Sequence, residues 1–274
     1  KVIVLTVVTD KEEIYIENPK ALQIFNCDNE HTIAMFERAT KRIGADNCRA
    51  FSSFAAGAEV GLRATFMTLD SLQVVGHIGG IKGESKVPIY GRQNIVNLMA
   101  AASIAFAVGM EPEQIWASLP NCKSGWGRNQ LVQLPNGTKV LFDGYNANPD
   151  SMSILIKNLF ETQVEGKKVC VLAEMLELGA GAAQLHYELG ELIGNTDTEV
   201  VWFYGASSRD FERGFRSSSS TKTLYISNSY DEELAKKVRS VLNPMDVVVI
   251  IGSRGMKLEK VMQNWSPNFS TAKN

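Results

Sequence analysis

Apolar residues follow two different rhythms along the chain, and each rhythm predicts a different kind of sheet. In the second half, nearly continuous runs of valine, isoleucine and leucine alternate with segments of helical period. Such runs are typical of strands buried on both faces, and their alternation with helices is typical of a parallel sheet. The predicted strands are 139–142, 168–173, 199–204, 223–226 and 246–251. The predicted helices are 151–160, 182–193, 232–242 and 257–263, and we expect an exposed loop at 216–223.

The first half contains segments that alternate apolar and polar residues with a period of two. Segments 61–69 and 72–77 follow this pattern, which predicts antiparallel strands. The other elements predicted there are strands at 22–25 and 49–54, helices at 30–43 and 94–109, and turns at 79–80 and 82–84. We therefore expect an α/β protein with two parts. Residues 1–124 would form an incomplete α/β domain with antiparallel strands, and residues 125–274 a Rossmann-like parallel sheet with helices on both faces.

Composition narrows the functional class. The 274 residues are 45% hydrophobic and 21% charged, with a formal net charge of -2, which is typical of a globular protein and offers no basic surface for nucleic acid. No apolar run reaches the roughly 18 residues that a membrane span needs. The four cysteines show no C-x-x-C spacing, so we expect reduced thiols in a cytoplasmic protein. The chain begins with Lys1 and not with Met, and we expect it to be part of a longer protein.

The segment Asp143–Met152 concentrates polar groups at the point where an apolar strand ends. It contains an acid, a phenol and two amides (Asp143, Tyr145, Asn146 and Asn148), followed by a predicted helix capped by Asp150 or Ser151. In open α/β sheets such strand-to-helix turns lie at the carboxyl edge, where ligands bind. The same residue types also serve ordinary turns and helix caps, so both interpretations stay open at this stage.

The pattern Asp-x-Tyr-Asn-Ala-Asn-Pro-x-Ser-Met resembles the signature of the Mur ligases, most closely the MurF type. Three other segments resemble the same family in order and spacing: 91–97, 175–179 followed by His186, and 252–256. The resemblance extends from Lys11 to Val261. It implies an ATP- and magnesium-dependent ligase that joins D-alanyl-D-alanine to UDP-N-acetylmuramoyl-tripeptide, through an acyl phosphate, for peptidoglycan synthesis. We expect a monomer.

The resemblance also implies roles for residues that bind the nucleotide and the metal. Lys11 matches a lysine that becomes a carbamate and holds magnesium, although a solvated lysine is the simpler interpretation of its charged surroundings. Asn94 and Asn97 match residues that contact the nucleotide base, and their spacing places both on one helical face. Arg128 matches an arginine that reaches the phosphates, and a salt bridge between domains is its alternative. Asp143 matches an acid of the nucleotide site; Lys11, Arg128 and Asp143 form the predicted catalytic set.

A second set of residues is implied for the substrates. These residues are Tyr145, Asn146, Asn148, Ser151, Glu177, His186, Ser253 and Arg254. Within it, Ser253 and Arg254 are expected to bind a substrate carboxylate. Core packing is the alternative for the apolar members of segment 175–178.

Two other functions remain as alternatives. The sequence contains no G-x-x-x-x-G-K-[ST] phosphate loop, although segment 1–6 resembles the strand that precedes it in Mur ligases. Residues missing after that strand would explain this, and so would a non-catalytic relative that binds a nucleotide or a peptide. A NAD-binding Rossmann protein is less favoured, because Gly179-Ala180-Gly181 is an incomplete fingerprint with Gln184 at the third glycine position.

Overall fold

The computed structural model describes residues 2–5, 21–55, 57–218 and 221–270. The chain divides into two compact units, Lys1–Lys123 and Ser124–Asn274. Each unit contains one sheet of six strands within the described residues. None of the helices in these ranges is long and apolar enough to cross a membrane.

The sheet of the first unit changes from parallel to antiparallel pairing. Its strands are β1 (Val2–Leu5), β2 (Leu22–Asn26), β3 (Cys48–Phe51), β4 (Val60–Met67), β5 (Leu72–Ile78) and β6 (Ile81–Val87), in that spatial order. Strands β1 to β4 pair in parallel, and β4, β5 and β6 pair antiparallel, as the alternating pattern predicted. The turn predicted at 82–84 is wrong, because these residues lie within β6. The glycine at position 83 is explained by close packing, because a Cβ there would lie 2.6 Å from the Trp116 ring.

Among the residues described in the first unit, three helices accompany this sheet: α1 (Glu30–Ile43), α2 (Asn94–Ala107) and α3 (Pro112–Ser118). The side chain of Asn29 caps α1 by accepting from His31 N and Thr32 N. Helix α1 buries Met35 and Ala39 against Phe25. Helix α2 packs across strands β1 to β5 of the sheet.

The second unit is the predicted parallel sheet. Its strands are β7 (Gln130–Gln133), β8 (Lys139–Asp143), β9 (Lys168–Ala173), β10 (Val200–Tyr204), β11 (Thr223–Ser227) and β12 (Val247–Ile251). The spatial order is β11-β10-β9-β12-β8-β7, and every pair is parallel except β7 with β8. Strands β9, β10 and β12 are buried along their whole length. This explains why their sequences are continuously apolar.

Helices cover both faces of this second sheet. They are α4 (Pro149–Glu161), α5 (Ala182–Gly194), α6 (Ser208–Ser217), α7 (Glu232–Ser240) and α8 (Glu259–Trp265). Helices α4, α5 and α6 pack side by side on one face, whereas α7 packs with α8. The exposed loop predicted at 216–223 is partly wrong, because α6 continues to Ser217. No helix was predicted over 208–217, because the segment is mostly polar, yet α6 buries Phe211 and Phe215.

The order of the strands creates a switch point at β12. This strand lies between β8 and β9, and the chain leaves β8 and β9 toward helices of one face but leaves β12 toward the other face. Loops that diverge in this way leave a crevice at the carboxyl ends of the strands, which is where open α/β sheets bind ligands. The polar segments that follow β8, β9 and β12 therefore meet at one edge.

Candidate functional site

The loop after β8 is shaped by a glycine and a helix cap. A Cβ on Gly144 would lie 2.6 Å from the buried Phe142 ring, so only glycine fits directly after the strand. The Asn148 side chain accepts from Ser151 N at 2.8 Å, and Ser151 Oγ accepts from Asn148 N at 3.0 Å. Helix α4 therefore begins at Pro149 with Asn148 as its cap, and not with the predicted Asp150 or Ser151. The cap engages the side chains of two residues that were predicted to bind substrate, Asn148 and Ser151.

Asp143, at the end of β8, is an acid in a poorly hydrated position. Its side chain is 7% exposed, and one carboxylate oxygen accepts from Asn129 N at 3.3 Å. Burial raises the pKa of this carboxyl from 3.8 to about 6, while the Asn129 amide and the Arg128 charge oppose the shift. A carboxyl with a pKa near neutrality can change its charge when a ligand enters.

Arg128 and Tyr145 form a pair at the surface of the same edge. The guanidinium carbon lies 4.1 Å from the centre of the Tyr145 ring, a cation-π contact. The backbone supports the pair, because Tyr145 N donates to Gly127 O at 3.1 Å. Tyr145 is 50% exposed, and Asn146 beside it is exposed too. A permanently charged donor fork therefore stands over an exposed aromatic ring.

His186, which was predicted to contact substrate, lies inside the second unit. Its ring is fully buried on α5, where Nε2 accepts from Met175 N at 3.0 Å and Nδ1 lies 2.7 Å from Ala182 O. Ser253 is buried as well, and its Oγ accepts from Leu176 N at 2.9 Å. Core packing, the alternative interpretation of segment 175–178, holds for Met175, which is buried. Glu177, by contrast, is exposed.

Arg254 is half-exposed and already has two partners. Its Nη1 donates to Glu259 Oε2 at 2.9 Å, and its guanidinium lies 4.8 Å from the Trp126 ring. Both partners hold the group at the carboxyl edge of β12. The fork retains other N–H donors, and a bidentate contact with a carboxylate uses two of them.

The residues predicted for the base of a nucleotide lie together in the first unit. Asn97 Nδ2 donates to Asn94 Oδ1 at 3.0 Å, and Asn94 Nδ2 donates to Tyr90 O at 2.7 Å. The two amides thus share one face of the first turns of α2, as their spacing predicted. Lys11 lies outside the described residues. Among the residues that the structure describes, no group of three histidines, cysteines or acids is arranged to hold a metal ion.

Sequence reasoning missed Glu174, the first residue after β9. Its position is similar to that of Asp143, the last residue of β8. Its carboxylate accepts from Ala206 N and from Ser207 Oγ, both at 2.8 Å. Its backbone also accepts from Ser253 N at 3.3 Å. An acid at the carboxyl end of a buried strand was the signal that could have identified it.

Comparison with known proteins identifies the family. Residues 127–254 match the family described as Mur ligase, glutamate ligase domain. The UDP-N-acetylmuramoyl-tripeptide–D-alanyl-D-alanine ligase of Bacillus subtilis is 30% identical over 188 residues, which are 68% of this chain and 41% of that protein. A crystal structure of MurF from Acinetobacter baumannii has a TM-score of 0.76 at 23% identity and covers 93% of this chain and 54% of its own.

A second solved structure is the MurF ligase from Thermotoga maritima in complex with ADP. It has a TM-score of 0.73 at 20% identity and covers 96% of this chain and 61% of its own. The likeness in structure concerns the fold, because both identities are low. The chain spans about two-fifths of the Bacillus relative, 41% of its length. From the sequence matches and the shared fold together, this chain belongs to the Mur ligase family.

Proposed function

We propose that this chain serves ATP-dependent amide bond formation, in which D-alanyl-D-alanine is added to UDP-N-acetylmuramoyl-tripeptide. The observation that carries the proposal is the gathering of Asp143, the Arg128–Tyr145 pair, Glu177 and Arg254 at one carboxyl edge. The name of the Bacillus relative supplies the substrates. We propose further that the protein is a cytoplasmic monomer.

Each unit contains two residues of the predicted set that would contact a nucleotide. Arg128 presents a donor fork whose central carbon lies 4.1 Å from the centre of the Tyr145 ring, and such a fork suits phosphate oxygens. Asp143 is an acid whose charge depends on its neighbours, because its pKa is about 6. Asn94 and Asn97 offer amide groups that suit the edge of a base. When bound, ATP would supply the phosphoryl group that the substrate carboxylate accepts, with ADP as the leaving group, and phosphate would leave when the amine forms the amide.

Magnesium is part of the same proposal, with Lys11 as the ligand. As a carbamate this lysine would offer oxygen atoms, which suit a hard cation. The task of the metal would be to neutralise phosphate charge during transfer.

The peptide substrates would use the exposed side chains of the second unit. Glu177 would pair with the ammonium of the incoming dipeptide, and Arg254 would pair with a carboxylate through its remaining donors. Tyr145 and Asn146 are exposed, and the Tyr145 ring lies next to the Arg128 fork. They would align the amine with the activated carbonyl, since positioning provides much of the rate in such transfers.

Calorimetric titration of the chain with D-alanyl-D-alanine tests this proposal, with L-alanyl-L-alanine as the matched control. We expect heat with the first dipeptide and at least about tenfold weaker binding of the second, because a site built for one stereoisomer rejects its mirror image. Glu177→Gln should weaken the binding of the D-dipeptide. Equal binding of both stereoisomers, or of neither, would contradict the assignment.

A second candidate, a relative that binds but does not catalyse, is favoured by the absence of the phosphate loop motif from the sequence. Under this second candidate, the 274-residue chain binds the dipeptide without turnover. The two functions separate in an assay of phosphate release with all substrates present. Release that depends on D-alanyl-D-alanine would establish the ligase and reject the second candidate.

A further inference from the structure

The loop that leaves β9, residues 174–179, is bonded to three separate elements. Its first three amides donate in turn to Tyr204 O on β10 at 3.1 Å, to His186 Nε2 on α5 at 3.0 Å, and to Ser253 Oγ after β12 at 2.9 Å. Amides that leave a strand lose their ladder partners, and a buried amide without a partner costs free energy. Here each amide finds a partner on a different element, so the backbone is fixed from three directions.

The contact with His186 defines the state of its ring. Nε2 accepts the Met175 N–H, so it carries no proton, and the proton of the neutral ring is on Nδ1, which donates to Ala182 O. The ring is fully buried and packs edge-on against Phe203, with centroids 5.8 Å apart. Water therefore has no access to replace either bond.

Ser253 and Glu174 join the same loop to the neighbouring strands. Ser253 N donates to Glu174 O at 3.3 Å, while Ser253 Oγ accepts from Leu176 N. The Glu174 carboxylate accepts from Ala206 N and Ser207 Oγ after β10. The carboxyl ends of β9, β10 and β12 are thus bonded to one another through this loop.

The loop then adopts a conformation that an ordinary side chain avoids. Glu177 has a φ of +65° and Gly179 a φ of +58°. The left-handed conformation is unfavourable for a residue other than glycine and persists where its surroundings determine it. The Glu177 carboxylate is exposed, and none of the described residues forms a salt bridge with it. The hydrogen-bonded amides therefore precede Glu177, a strained residue whose carboxylate forms no salt bridge with any described residue.

We infer that His186 and Ser253 are positioning residues, which hold loop 174–179 in the single conformation that presents Glu177 at the carboxyl edge. They act through the backbone of Met175 and Leu176 and do not contact substrate. The role given to Glu177 rests on the proposed function, whereas the fixing of the loop does not.

Amide hydrogen exchange of the whole chain tests the fixing of the loop. His186→Asn places no acceptor at the Nε2 position, whereas His186→Gln places its side-chain oxygen there. We expect exchange of the Met175 amide to accelerate by about tenfold or more in His186→Asn and to be largely restored in His186→Gln, since the lost bond is buried. Equal acceleration in both variants, or none in either, would overturn the inference.

Ser253→Ala provides an independent test on the other side of the loop. It removes the Oγ acceptor without adding volume, so the Leu176 amide should exchange about tenfold faster. An unchanged Leu176 amide would overturn the role of Ser253. If His186→Asn does not fold, this variant and His186→Gln decide the question, because neither leaves a large cavity.

A double-mutant cycle with D-alanyl-D-alanine as the probe tests the presentation of Glu177. Ser253→Ala should weaken dipeptide binding about tenfold in the wild-type background and hardly at all in the Glu177→Gln background, because coupled residues are not additive. Equal losses in both backgrounds would overturn the presentation of Glu177. If the wild-type chain does not bind the dipeptide, the proposed function fails while the exchange experiment still decides the positioning roles.

Discussion

The loops that leave β8 and β9 lie at the same edge of one sheet, but they are held by different kinds of contact. The loop after β8 ends in a cap between near neighbours, Asn148 and Ser151. The loop after β9 is held by partners distant in the chain, such as Ser253, which lies 77 residues after Leu176. The first loop is therefore encoded locally, whereas the second depends on correct assembly of the whole sheet.

Disturbing the packing of α5 should have the largest effect of the changes considered, and it should affect the loop after β9 more than the loop after β8. The reason is that α5 carries His186, which bonds the loop after β9. A Cβ on Gly190 would lie 2.1 Å from Phe211 O and 2.8 Å from Phe215 N, both backbone atoms of α6. We expect Gly190→Ala to destabilise the second unit by roughly 2–3 kcal/mol, since one helix must move. Urea denaturation measures this, and hydrogen exchange should show the loop after β9 loosened more than the cap of α4.

Gly181→Ala is the matched control for that substitution. Its Cβ would meet Leu185 Cδ1 at 3.5 Å, an ordinary van der Waals distance. We expect a change within about 0.5 kcal/mol. A loss as large as that of Gly190→Ala would show that close approach of the helices is not the cause.

Asp143→Asn should stabilise the chain at neutral pH and remove a pH dependence from the edge of β8. The folded pKa of Asp143 is about 6, raised from 3.8 by burial. The folded state thus favours the neutral acid, and its contribution to stability is complete below pH 3.8 and is lost as the pH rises through 6. The amide keeps an acceptor for Asn129 N without a buried charge.

The measurement is urea unfolding of Asp143→Asn and wild type at two pH values. The variant should gain on the order of 2 kcal/mol at about pH 7.5 and almost nothing at about pH 3.5. A variant that is less stable at the higher pH would show that the charge of Asp143 is compensated in the folded chain. The same substitution should weaken ADP binding if the acid serves the nucleotide.

Removing the side-chain cap of α4 should lower the stability of the chain by less than Gly190→Ala does. Asn148→Ala deletes the acceptor for Ser151 N, and loss of such a cap costs about 1 kcal/mol. Asn146→Ala is the matched control, because Asn146 is exposed and lies in the same loop. Thermal unfolding should rank Asn148→Ala below Asn146→Ala, and equal midpoints for the two variants would refute the importance of the cap.

The sequence predicted what short-range patterns encode. The parallel sheet, its helices on both faces and the antiparallel strands of the first unit followed from periodicity. The polar residues after β8 were found because they stand together in one segment. The exact cap was missed because Asn148, Asp150 and Ser151 are all good caps, and the Pro149 ring selected the first of them.

The rest required the tertiary structure. His186 was assigned to substrate by the family resemblance, and the sequence around it gives no sign of its burial, which is set by the packing of α5. Glu174 was missed because its partners, Ala206 and Ser207, follow another strand. Helix α6 was not predicted at all, because its sequence is mostly polar, although Phe211 and Phe215 fix it in the core. Contacts between residues that are distant in the sequence thus cannot be predicted from local sequence patterns.

The outer part of the loop after β8 should have the smallest effect on stability. The Arg128–Tyr145 contact, at 4.1 Å, is exposed to solvent, and such contacts contribute about 0.5–1 kcal/mol. Tyr145→Leu should lower stability by no more than that, and Tyr145→Phe, which keeps the ring, should leave it unchanged.

Function should respond differently, because the ring orients the Arg128 fork. We expect Tyr145→Leu to weaken ADP binding by about three- to tenfold, since a mobile guanidinium loses entropy when it binds phosphate. Tyr145→Phe should bind ADP as wild type does, whereas its affinity for D-alanyl-D-alanine should fall if the hydroxyl meets the amine. A stability loss in Tyr145→Leu well above 1 kcal/mol would instead make this pair part of the framework, as the loop after β9 is.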